Sequence, residues 1–408
     1  MKVPTFTFLL VGMIVYIGCS SPTHPPQNAP EEEPKELSFE RNTIADSVSF
    51  LWAHDPVDIT GDGIVDLLFV DNNSYGGKLG YLEGQKEPGA WTEYIIDPEN
   101  SGAKQFAMGD IEAADMDGDG DMDVVAAKHE GEWDNASSPS QVFWYENPSW
   151  EAHLIGEAPN FIKDVEITDF NGDGKMDLAT LTFEESSLRI FQQESPDQWK
   201  LIQAYENYKN LHEGMDVGDL NGDGFSDIVA CGHIFYSPGN DLTDTWNTEN
   251  IDEQWNTQTG DWSRNGTKVF LQDIDGDQKC EVFISHSERA GFPVMMYKQL
   301  ADVWQTQVIA DSIPACHTLQ VFDFDQDGDY DVLTGVNRSR AIGLAYTTFP
   351  VKIYLANESH SQWNPYTIVE DGIYNGQAAD FEGDGDWDIF KYQTHDATSY
   401  ELLENQLN

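Results

Sequence analysis

Basic residues are scarce in this sequence. Only 21 lysines and arginines stand against 73 aspartates and glutamates among 408 residues, which gives a formal net charge of −52. This shortage argues against DNA or RNA as a partner, because phosphate binding needs a cationic surface. High acidity also occurs in disordered chains, but 39% hydrophobic and 12% aromatic residues are enough to bury a large core. We therefore expect a folded, acidic chain that does not bind nucleic acid.

Long hydrophobic runs are absent except near the N-terminus, so no internal membrane span is expected. There, one lysine precedes an apolar run over residues 6–17, which is typical of a secretory signal peptide. The segment Tyr16-Ile17-Gly18-Cys19 resembles a bacterial lipobox, which implies that residues 1–18 are removed and that Cys19 carries the lipid. Ordinary secretory cleavage is the alternative, because Tyr16 stands where such boxes usually have leucine.

Residues 19–36 form a separate segment that is rich in proline and glutamate. Its five prolines and its three consecutive glutamates favour an extended, unfolded chain, which suits a tether between a lipid and a folded domain. We therefore expect an exported protein that is anchored at the bacterial outer membrane or cell surface through Cys19, or else is secreted.

Cysteines and familiar catalytic motifs are also few. Besides Cys19 the chain has Cys231, Cys280 and Cys316, which lack CxxC spacing and so indicate neither a zinc site nor a disulfide framework. We expect these three to be buried as small hydrophobic residues. The GxSxG, HExxH, Walker and Rossmann glycine patterns are missing, which disfavours serine hydrolases, zinc proteases and nucleotide-dependent enzymes.

A nine-residue, aspartate-rich pattern is present in seven copies, which start at Asp58, Asp115, Asp169, Asp219, Asp273, Asp323 and Asp380. The copies start 50 to 57 residues apart, and a regular period of this length indicates a repeat architecture. Oxygen ligands at positions 1, 3, 5 and 9, with a backbone carbonyl at position 7 and glycine at position 6, can surround one Ca2+. Carboxylates this close would repel each other without a divalent ion, so the pattern predicts up to seven calcium sites.

The predicted calcium ligands are the side chains at positions 1, 3, 5 and 9 of each copy. They are Asp58, Thr60, Asp62, Asp66, Asp115, Asp117, Asp119, Asp123, Asp169, Asn171, Asp173, Asp177, Asp219, Asn221, Asp223, Asp227, Asp273, Asp275, Asp277, Glu281, Asp323, Asp325, Asp327, Asp331, Asp380, Glu382, Asp384 and Asp388. The first and fifth sites are expected to be the weakest or empty. Thr60 occupies position 3 of the first copy, while the fifth has Gln278 in place of glycine and Glu281 at position 9.

Short apolar segments flank these loops and indicate strands rather than helices. Val124–Ala127 follows the second loop, a third strand such as Val142–Tyr145 comes next, and a fourth runs from a tryptophan to an isoleucine, as between Trp150 and Ile155. Four strands in each unit of about 50 residues predict a propeller blade. The sequence therefore predicts an all-β, seven-bladed β-propeller with four antiparallel strands per blade over residues 37–408.

The closure of the ring can also be predicted. The seventh unit ends with its third strand near Leu407, so its fourth strand must come from elsewhere. Residues 37–45 repeat the aromatic-to-isoleucine spacing with Phe39 and Ile44, and we expect them to supply that strand and remove an open sheet edge. A solenoid stack of the same hairpins is the alternative, and it would leave this N-terminal strand without a partner.

These loops and strands resemble the FG-GAP/VCBS-type calcium-binding β-propellers, the repeat type of integrin α-subunit heads and of many bacterial surface and polysaccharide-lyase proteins. The resemblance covers residues 37–408 and depends most on the aspartate-rich loops, such as Asp115–Asp123. It implies structural Ca2+ as a cofactor in the first hairpin of each blade. It implies no activity by itself, because a fold does not determine a function.

Functional residues are expected on the face opposite the loops, where the far ends of the first and second strands of each blade meet. The cations, histidines and one tyrosine expected on that rim are Lys128, His129, Lys163, His212, His233, His286, Arg289, His317, Arg338, Arg340, Lys391, Tyr392 and His395. On so acidic a chain, a rim of this kind suggests a pocket for an anion such as a uronate or sulfate group. Aromatic side chains in a concave propeller face can stack on sugar rings.

Three functions fit these observations. The first is a calcium-stabilised cell-surface lipoprotein that binds a glycan, with anionic polysaccharide favoured, or a partner protein. The second is a polysaccharide lyase, since β-elimination needs a base, an acid and a cation that neutralises the uronate carboxylate. The third is a structural or adhesion module. For the lyase, the candidate bases are His129, His233 and His286, the candidate acid is Tyr392, and the candidate neutralising cations are Arg289 and Arg338.

Overall fold

The computed structural model describes residues 37–46, 51–71, 77–97, 104–106, 108–130, 138–183, 187–301 and 303–407. These residues form twenty-nine strands, one short α-helix and one 3-10 turn, and the strands make seven antiparallel sheets. The expected all-β architecture of seven blades is thus confirmed. The predicted signal peptide, tether and Cys19 lie outside the described residues. Within the described ranges, neither helical segment is long and apolar enough to span a membrane.

The strands are numbered in chain order. Strand β1 (Phe39–Ala45) precedes blade 1, which contains β2 (Leu51–Val57), β3 (Asp66–Asp71), β4 (Lys78–Glu83) and β5 (Thr92–Asp97). Blade 2 contains β6 (Lys104–Phe106), β7 (Glu112–Ala114), β8 (Asp123–Glu130), β9 (Ser140–Glu146) and β10 (Glu151–Ala158). Blade 3 contains β11 (Ile162–Thr168), β12 (Asp177–Thr182), β13 (Leu188–Ser195) and β14 (Gln198–Tyr205). Blade 4 contains β15 (Met215–Gly218), β16 (Asp227–Ala230), β17 (His233–Tyr236) and β18 (Asn247–Asn250).

The remaining three blades follow the same order. Blade 5 contains β19 (Thr267–Gln272), β20 (Glu281–His286), β21 (Val294–Leu300) and β22 (Val303–Ala310). Blade 6 contains β23 (Cys316–Phe322), β24 (Asp331–Val336), β25 (Val351–Ala356) and β26 (Trp363–Val369), with helix α1 (Arg338–Gly343) after its second strand. Blade 7 contains β27 (Gln377–Ala379), β28 (Asp388–Lys391), β29 (Tyr400–Asn405) and, as its outer strand, β1.

The N-terminal strand closes the last blade, as predicted. Strand β1 pairs antiparallel with β29, with Phe39 opposite Asn405 and Thr43 opposite Glu401. The first strands of successive blades contact one another around the ring, and β27 of blade 7 contacts β2 of blade 1. The solenoid alternative is therefore wrong, because both the ends of the chain and the ends of the repeat meet in one closed ring.

The first strand of blade 2 is interrupted. Strand β6 pairs with one end of β8, opposite Lys128 to Glu130, and β7 pairs with the other end, opposite Asp123 to Val125. The other blades with a described first strand have one continuous segment there. Blade 2 thus departs from the expected four-strand count only by this break in its inner strand.

Second strands are the most buried elements of the fold. Every residue of β3, β12, β20 and β24 is buried, because neighbouring blades cover both faces of these strands. This explains why segments such as Leu67–Val70 are continuously apolar, whereas the outer strand β14 alternates between exposed and half-buried residues. Cys231 and Cys316 are buried free thiols, as expected, whereas Cys280 is buried but disulfide-bonded.

Acidic side chains on the first strands join neighbouring blades. Oε2 of Glu112 in blade 2 accepts a hydrogen bond from the backbone N–H of Ile167 in blade 3 (2.8 Å). Bonds of the same kind, from an N–H of the following blade, reach the carboxylates of Asp110, Asp164 and Asp216. These acids line the central channel, a cavity of about 630 Å³ that they share with Lys268. These acids thus connect the first strands of neighbouring blades around the ring.

Each aspartate-rich loop is joined to its blade by the carboxylate at position 9. In blade 4, Oδ2 of Asp227 accepts from the N–H of Leu220 at position 2 of the loop (3.1 Å), and Oδ1 accepts from the N–H of Ser237 just after the third strand (2.9 Å). The same two bonds are made by Asp66, Asp123, Asp177, Asp331 and Asp388. We call these residues, together with Glu281 of blade 5, the position-9 carboxylates.

In blades 2, 3, 4 and 7 a second contact links this junction to the preceding blade. The residue whose N–H binds the position-9 carboxylate also donates from its side chain to the position-2 carbonyl of the loop before it. Asn147 Nδ2 donates to Ile59 O (2.9 Å), and Gln193 Nε2 donates to Met116 O (2.7 Å). Ser237 and Asn405 make the equivalent bonds in blades 4 and 7. Loops and blades are therefore fixed as one hydrogen-bonded row.

Removing a position-9 carboxylate should destabilise the fold without any involvement of metal. Asp227→Ala leaves the buried N–H groups of Leu220 and Ser237 without their acceptor. Each unsatisfied buried group costs about 1–3 kcal/mol, so the free energy of unfolding should fall by about 2–6 kcal/mol. The matched control is Asp223→Ala, whose carboxylate accepts from the exposed N–H of Phe225 (3.0 Å) and should cost less than about 1 kcal/mol. Denaturant unfolding in chelator measures both, and equal losses would contradict this role of position 9.

Candidate functional site

The seven loops share one backbone conformation that gathers their oxygen atoms. The carboxylate at position 1 accepts from amides within the loop: Asp219 accepts from the N–H groups of Gly222 (2.6 Å) and Gly224 (2.8 Å). This wrapping requires a positive φ at position 6, where Gly224 has φ 88°. In the fifth loop Gln278 adopts the same region with φ 70°, which is unfavourable for a residue with a Cβ.

Carboxylate oxygens converge in three of the loops. In the second loop, oxygens of Asp115, Asp117 and Asp123 all lie within 4.8 Å of one another, and equivalent groups of oxygens converge in the fifth and sixth loops. Buried oxygens of Asp121 and Asp386, at position 7 of the second and seventh loops, have no hydrogen-bond partner. Several hard oxygen donors around one point suit a Ca2+ ion.

Burial also shapes the charge of these loops. It raises the pKa of Asp123 to about 7 and that of Asp331 to about 8, because desolvation penalises the ionised form. A cation in the loop would favour the ionised carboxylates and oppose this effect. The residues present therefore fit Ca2+, which would supply the positive charge that the buried oxygens need. The fifth loop differs, because the ammonium of Lys298 lies among its carboxylates.

A cavity of about 370 Å³ lies on the opposite face of the ring from the loops. Its residues come from the ends of strands that are far from the loops: Trp52 lies at the start of β2, and Phe183 directly follows β12. The aromatic side chains that line this cavity are Trp52, Phe161, Phe183, Trp262 and Tyr374. We call it the aromatic cavity.

Two ion pairs lie at one side of the aromatic cavity. Lys163 Nζ is 3.0 Å from Glu213 Oε2, and Arg340 Nε is 3.3 Å from Glu288 Oε2. The buried imidazole of His317 lies next to them, with Nε2 3.4 Å from Glu288 Oε1. Arg340 also stacks on Trp262, its guanidinium carbon 4.9 Å from the ring centroid. Each cation of the cavity is thus matched by a carboxylate.

The two glutamates differ in protonation. Burial by itself raises the pKa of Glu213, but the neighbouring Lys163 and two histidines hold it well below its usual value. Burial and the charge of Glu213 raise the pKa of Glu288 to about 8. At neutral pH the cavity therefore offers one ionised carboxylate and one carboxyl group that is largely protonated, an acceptor and a donor side by side.

Among the side chains predicted for lyase chemistry, the fold brings His286 and Arg289 together, since both contact Gln258 Oε1. His129, His233, His286 and Tyr392 are each at most 2% exposed. His286 Nε2 contacts Gln258 Oε1 (2.8 Å), and the Tyr392 hydroxyl donates to the carbonyl of Leu51 (2.9 Å). Burial lowers the pKa of His286 to about 3, so its imidazole is neutral.

The two predicted neutralising arginines are also engaged within the fold. Arg289 lies 3.3 Å from the carboxylate of Asp261, and Arg338 Nη1 donates to Gln393 Oε1 (2.9 Å). Among the described residues that line the aromatic cavity and the central channel, none belongs to the six predicted catalytic residues. Of the wider predicted rim, Lys163, Arg340 and His395 do line the aromatic cavity, and His317 lines the channel.

The carboxylates of the cavity and most of its aromatic walls were missed at the sequence level. The search for an anion pocket selected cations and histidines, and so passed over Glu213 and Glu288, although each lies within two residues of a selected histidine. Acids at the strand ends opposite the loops were the available indication. In a chain with 73 acidic residues this indication has little power to discriminate.

Comparison with known proteins places the repeats in a family. The FG-GAP-like repeat matches residues 58–126, 115–180 and 169–230, and each match spans two consecutive loops. A search of curated proteins finds no match. Similar solved structures include the N-terminal domain of BBS1, crystallised in complex with ARL6 (10% identity, TM-score 0.56, covering 91% of this chain and 97% of that one).

Two carbohydrate-active enzymes are also similar in structure. One is the Bacillus licheniformis rhamnogalacturonan lyase (11% identity, TM-score 0.50, covering 91% of this chain and 75% of that one). The other is the α-L-arabinofuranosidase Arb93a from Fusarium graminearum (10% identity, TM-score 0.51, covering 90% and 98%). At these identities the likeness concerns the fold alone. The chain thus contains FG-GAP-like repeats over residues 58–230 and folds as a seven-bladed β-propeller.

Proposed function

We propose that this propeller is a calcium-stabilised glycan-binding lipoprotein of the bacterial cell surface, and that the aromatic cavity binds the sugar. The observation that carries the proposal is the combination of five aromatic side chains with paired polar groups in one concave site of about 370 Å³. Sugar rings present apolar C–H faces and polar edges, so they need both kinds of surface. The similarity to enzymes that act on polysaccharides is consistent with this use of the fold.

The polar groups of the cavity suit hydroxyl groups. The pairs Lys163–Glu213 and Arg340–Glu288 place donors beside acceptors, and neighbouring sugar hydroxyls need both at once. Asn337 and Ser339 add further polar groups at the same cavity. A hydroxyl can bond to both members of such a pair without separating it.

The contacts of the two cations favour a neutral sugar over the anionic one that the sequence suggested. Lys163 and Arg340 each lie beside a glutamate, so neither cation is left free to receive an anion. A uronate or sulfate would also approach the ionised Glu213, which would repel it. We therefore propose neutral glycan as the ligand.

Hydrolysis of a glycosidic bond is a second candidate function. Glycosidases use a protonated carboxyl as acid and an ionised one as nucleophile or base, and Glu288 and Glu213 differ in this sense. Their oxygens lie within 4.8 Å of each other. The lyase hypothesis has less support, because its predicted residues lie outside the cavity.

Substitution in the cavity tests the binding proposal. Trp262→Ala should weaken binding of a neutral oligosaccharide about tenfold, about 1.4 kcal/mol, because the exposed indole face would be lost. Trp363→Ala on the outer strand β26 is the matched control and should bind like the wild type. Calorimetry against neutral and uronate oligosaccharides of equal length measures both variants, and equal affinity of Trp262→Ala and wild type would refute the proposal.

The same incubations, analysed for products, separate the alternatives. Shortened products without a double bond would indicate hydrolysis, and unsaturated products would indicate a lyase. Intact glycan that remains bound would indicate capture only. If no glycan binds, the remaining function is binding of a partner protein, as BBS1 binds ARL6 in its crystal structure.

Calcium should stabilise the native state. A ligand at about 100 times its Kd adds about 2.7 kcal/mol per site, so chelator should lower the melting temperature and added Ca2+ should restore it. Mg2+ is the control, because it demands a stricter octahedral geometry and should restore less. We expect the second and sixth loops to contribute most, since their carboxylate oxygens converge. A melting temperature that does not change when chelator is added would contradict the calcium proposal.

The lipid anchor is tested separately from the cavity. Cys19→Ser should release the full chain from the membrane fraction of cells, because no lipid could then be attached at that position. Ser20→Ala, one residue away, keeps the cysteine and should remain in the membrane fraction. Fractionation of cells measures both variants, and retention of Cys19→Ser with the membranes would exclude the anchor.

A further inference from the structure

A lysine occupies the centre of the fifth loop. Lys298 on β21 reaches into the loop, where its ammonium forms an ion pair with Asp275 at position 3. The same Nζ lies 2.7 Å from Glu281 Oε1 at position 9 and 4.0 Å from Asp277 Oδ2 at position 5. These three positions are the ones that hold a Ca2+ ion in such a loop.

The lysine is peculiar to blade 5. The strand registers identify the equivalent position in all seven blades. In blade 5, Val282 is the first residue after the loop; it pairs with Tyr297 on the third strand, and Lys298 is the next residue. In the other blades the residue at this position is Glu83, Glu146, Gln192, Tyr236, Leu355 and Glu404. Three blades thus place a carboxylate where blade 5 places an ammonium.

The hydrogen bonds of the position-9 carboxylate also differ in blade 5. In six blades one oxygen of the position-9 carboxylate accepts from a backbone N–H at or near the end of the third strand. In blade 5 the corresponding oxygen, Oε1 of Glu281, accepts from Lys298 Nζ. Glutamate is one methylene longer than aspartate, which lets its carboxylate reach the lysine while Oε2 keeps its bond to the N–H of Ile274 (3.0 Å).

We propose that Lys298 is a built-in cation that replaces calcium in the fifth loop. Its charge neutralises the carboxylates that repel one another, so the loop is complete without metal. A Ca2+ ion would have to displace the ammonium from Asp275 and Glu281, or sit beside it against like-charge repulsion. The substitution of Gln278 for the usual glycine fits a loop that is not required to adapt to an ion.

A lysine elsewhere in a loop does not act in this way. Lys175, at position 7 of the third loop, pairs with the carboxylate of Asp173 alone (3.0 Å), and its side chain is 40% exposed. It lies at the surface of its loop, whereas Lys298 joins three ligand positions with a side chain that is 22% exposed. Lys175 therefore provides a matched control.

The test compares bound calcium in the full chain and in three variants. Lys298→Met removes the charge and keeps the bulk, so it should bind one more Ca2+ per chain than the wild type in equilibrium dialysis. Lys298→Arg keeps the charge, and Lys175→Met removes a lysine from the edge of a loop; neither should gain an ion. An unchanged count for Lys298→Met, or a gain for Lys298→Arg, would overturn the proposal.

Melting in chelator tests Lys298 without metal. Lys298→Met should melt at a lower temperature than the wild type and Lys298→Arg, and Ca2+ should raise its melting temperature more than theirs. The inference rests on the calcium proposal for the other loops, but the two can fail separately. Absence of bound calcium in every protein would defeat the calcium proposal, while equal melting of Lys298→Met and wild type in chelator would defeat this one. Failure of Lys298→Met to fold even with calcium would also overturn it, because calcium should replace the ammonium.

Discussion

The position-9 carboxylates are the constraint on which each blade depends. Each of the six aspartates among them has only two carboxylate oxygens, which accept from N–H groups of two separate segments, position 2 of the loop and the end of the third strand, as in Asp227. An ionised carboxylate makes both bonds strong, yet it is almost completely buried, and burial penalises its charge. A cation near the remaining acids of the loop would reduce this penalty. The loop sequence is a solution to this conflict between hydrogen bonding and desolvation.

Single residues that bond to two blades also connect the blades into a ring. Asn147 serves the position-9 carboxylate through its N–H and the preceding blade through its side-chain amide. On the inner strands, Glu112 bonds to Ile167 of the next blade. The apolar clusters between blades add burial, but these directional bonds set the register of one blade against the next. The contribution of β1 to blade 7 completes this row of contacts at the one point where the chain ends would otherwise open it.

The loops and the fold were predictable because the same oxygen atoms are needed at the same positions in every repeat. The aromatic cavity was not, because Lys163, Glu213 and Glu288 come from different blades and follow no repeat. The histidines were placed at the correct strand ends, but they were expected to face an anion pocket or to act as bases. In the structure His212 packs as a neutral aromatic ring: it lies 4.2 Å from Phe183 between ring centroids, and burial lowers its pKa to about 4. A count of formal charges does not contain this effect of burial.

The two faces of the propeller are connected through the second strands. Strand β20 begins at Glu281, which Lys298 binds in the fifth loop, and ends at His286, two residues before Glu288 of the aromatic cavity. Strand β20 is buried along its whole length, so close packing fixes its position between the fifth loop and the cavity. If the cation of blade 5 is a lysine, the position of Glu288 does not depend on the calcium concentration. Calcium would then determine the stability of the ring, while the acidic group of the cavity keeps its geometry.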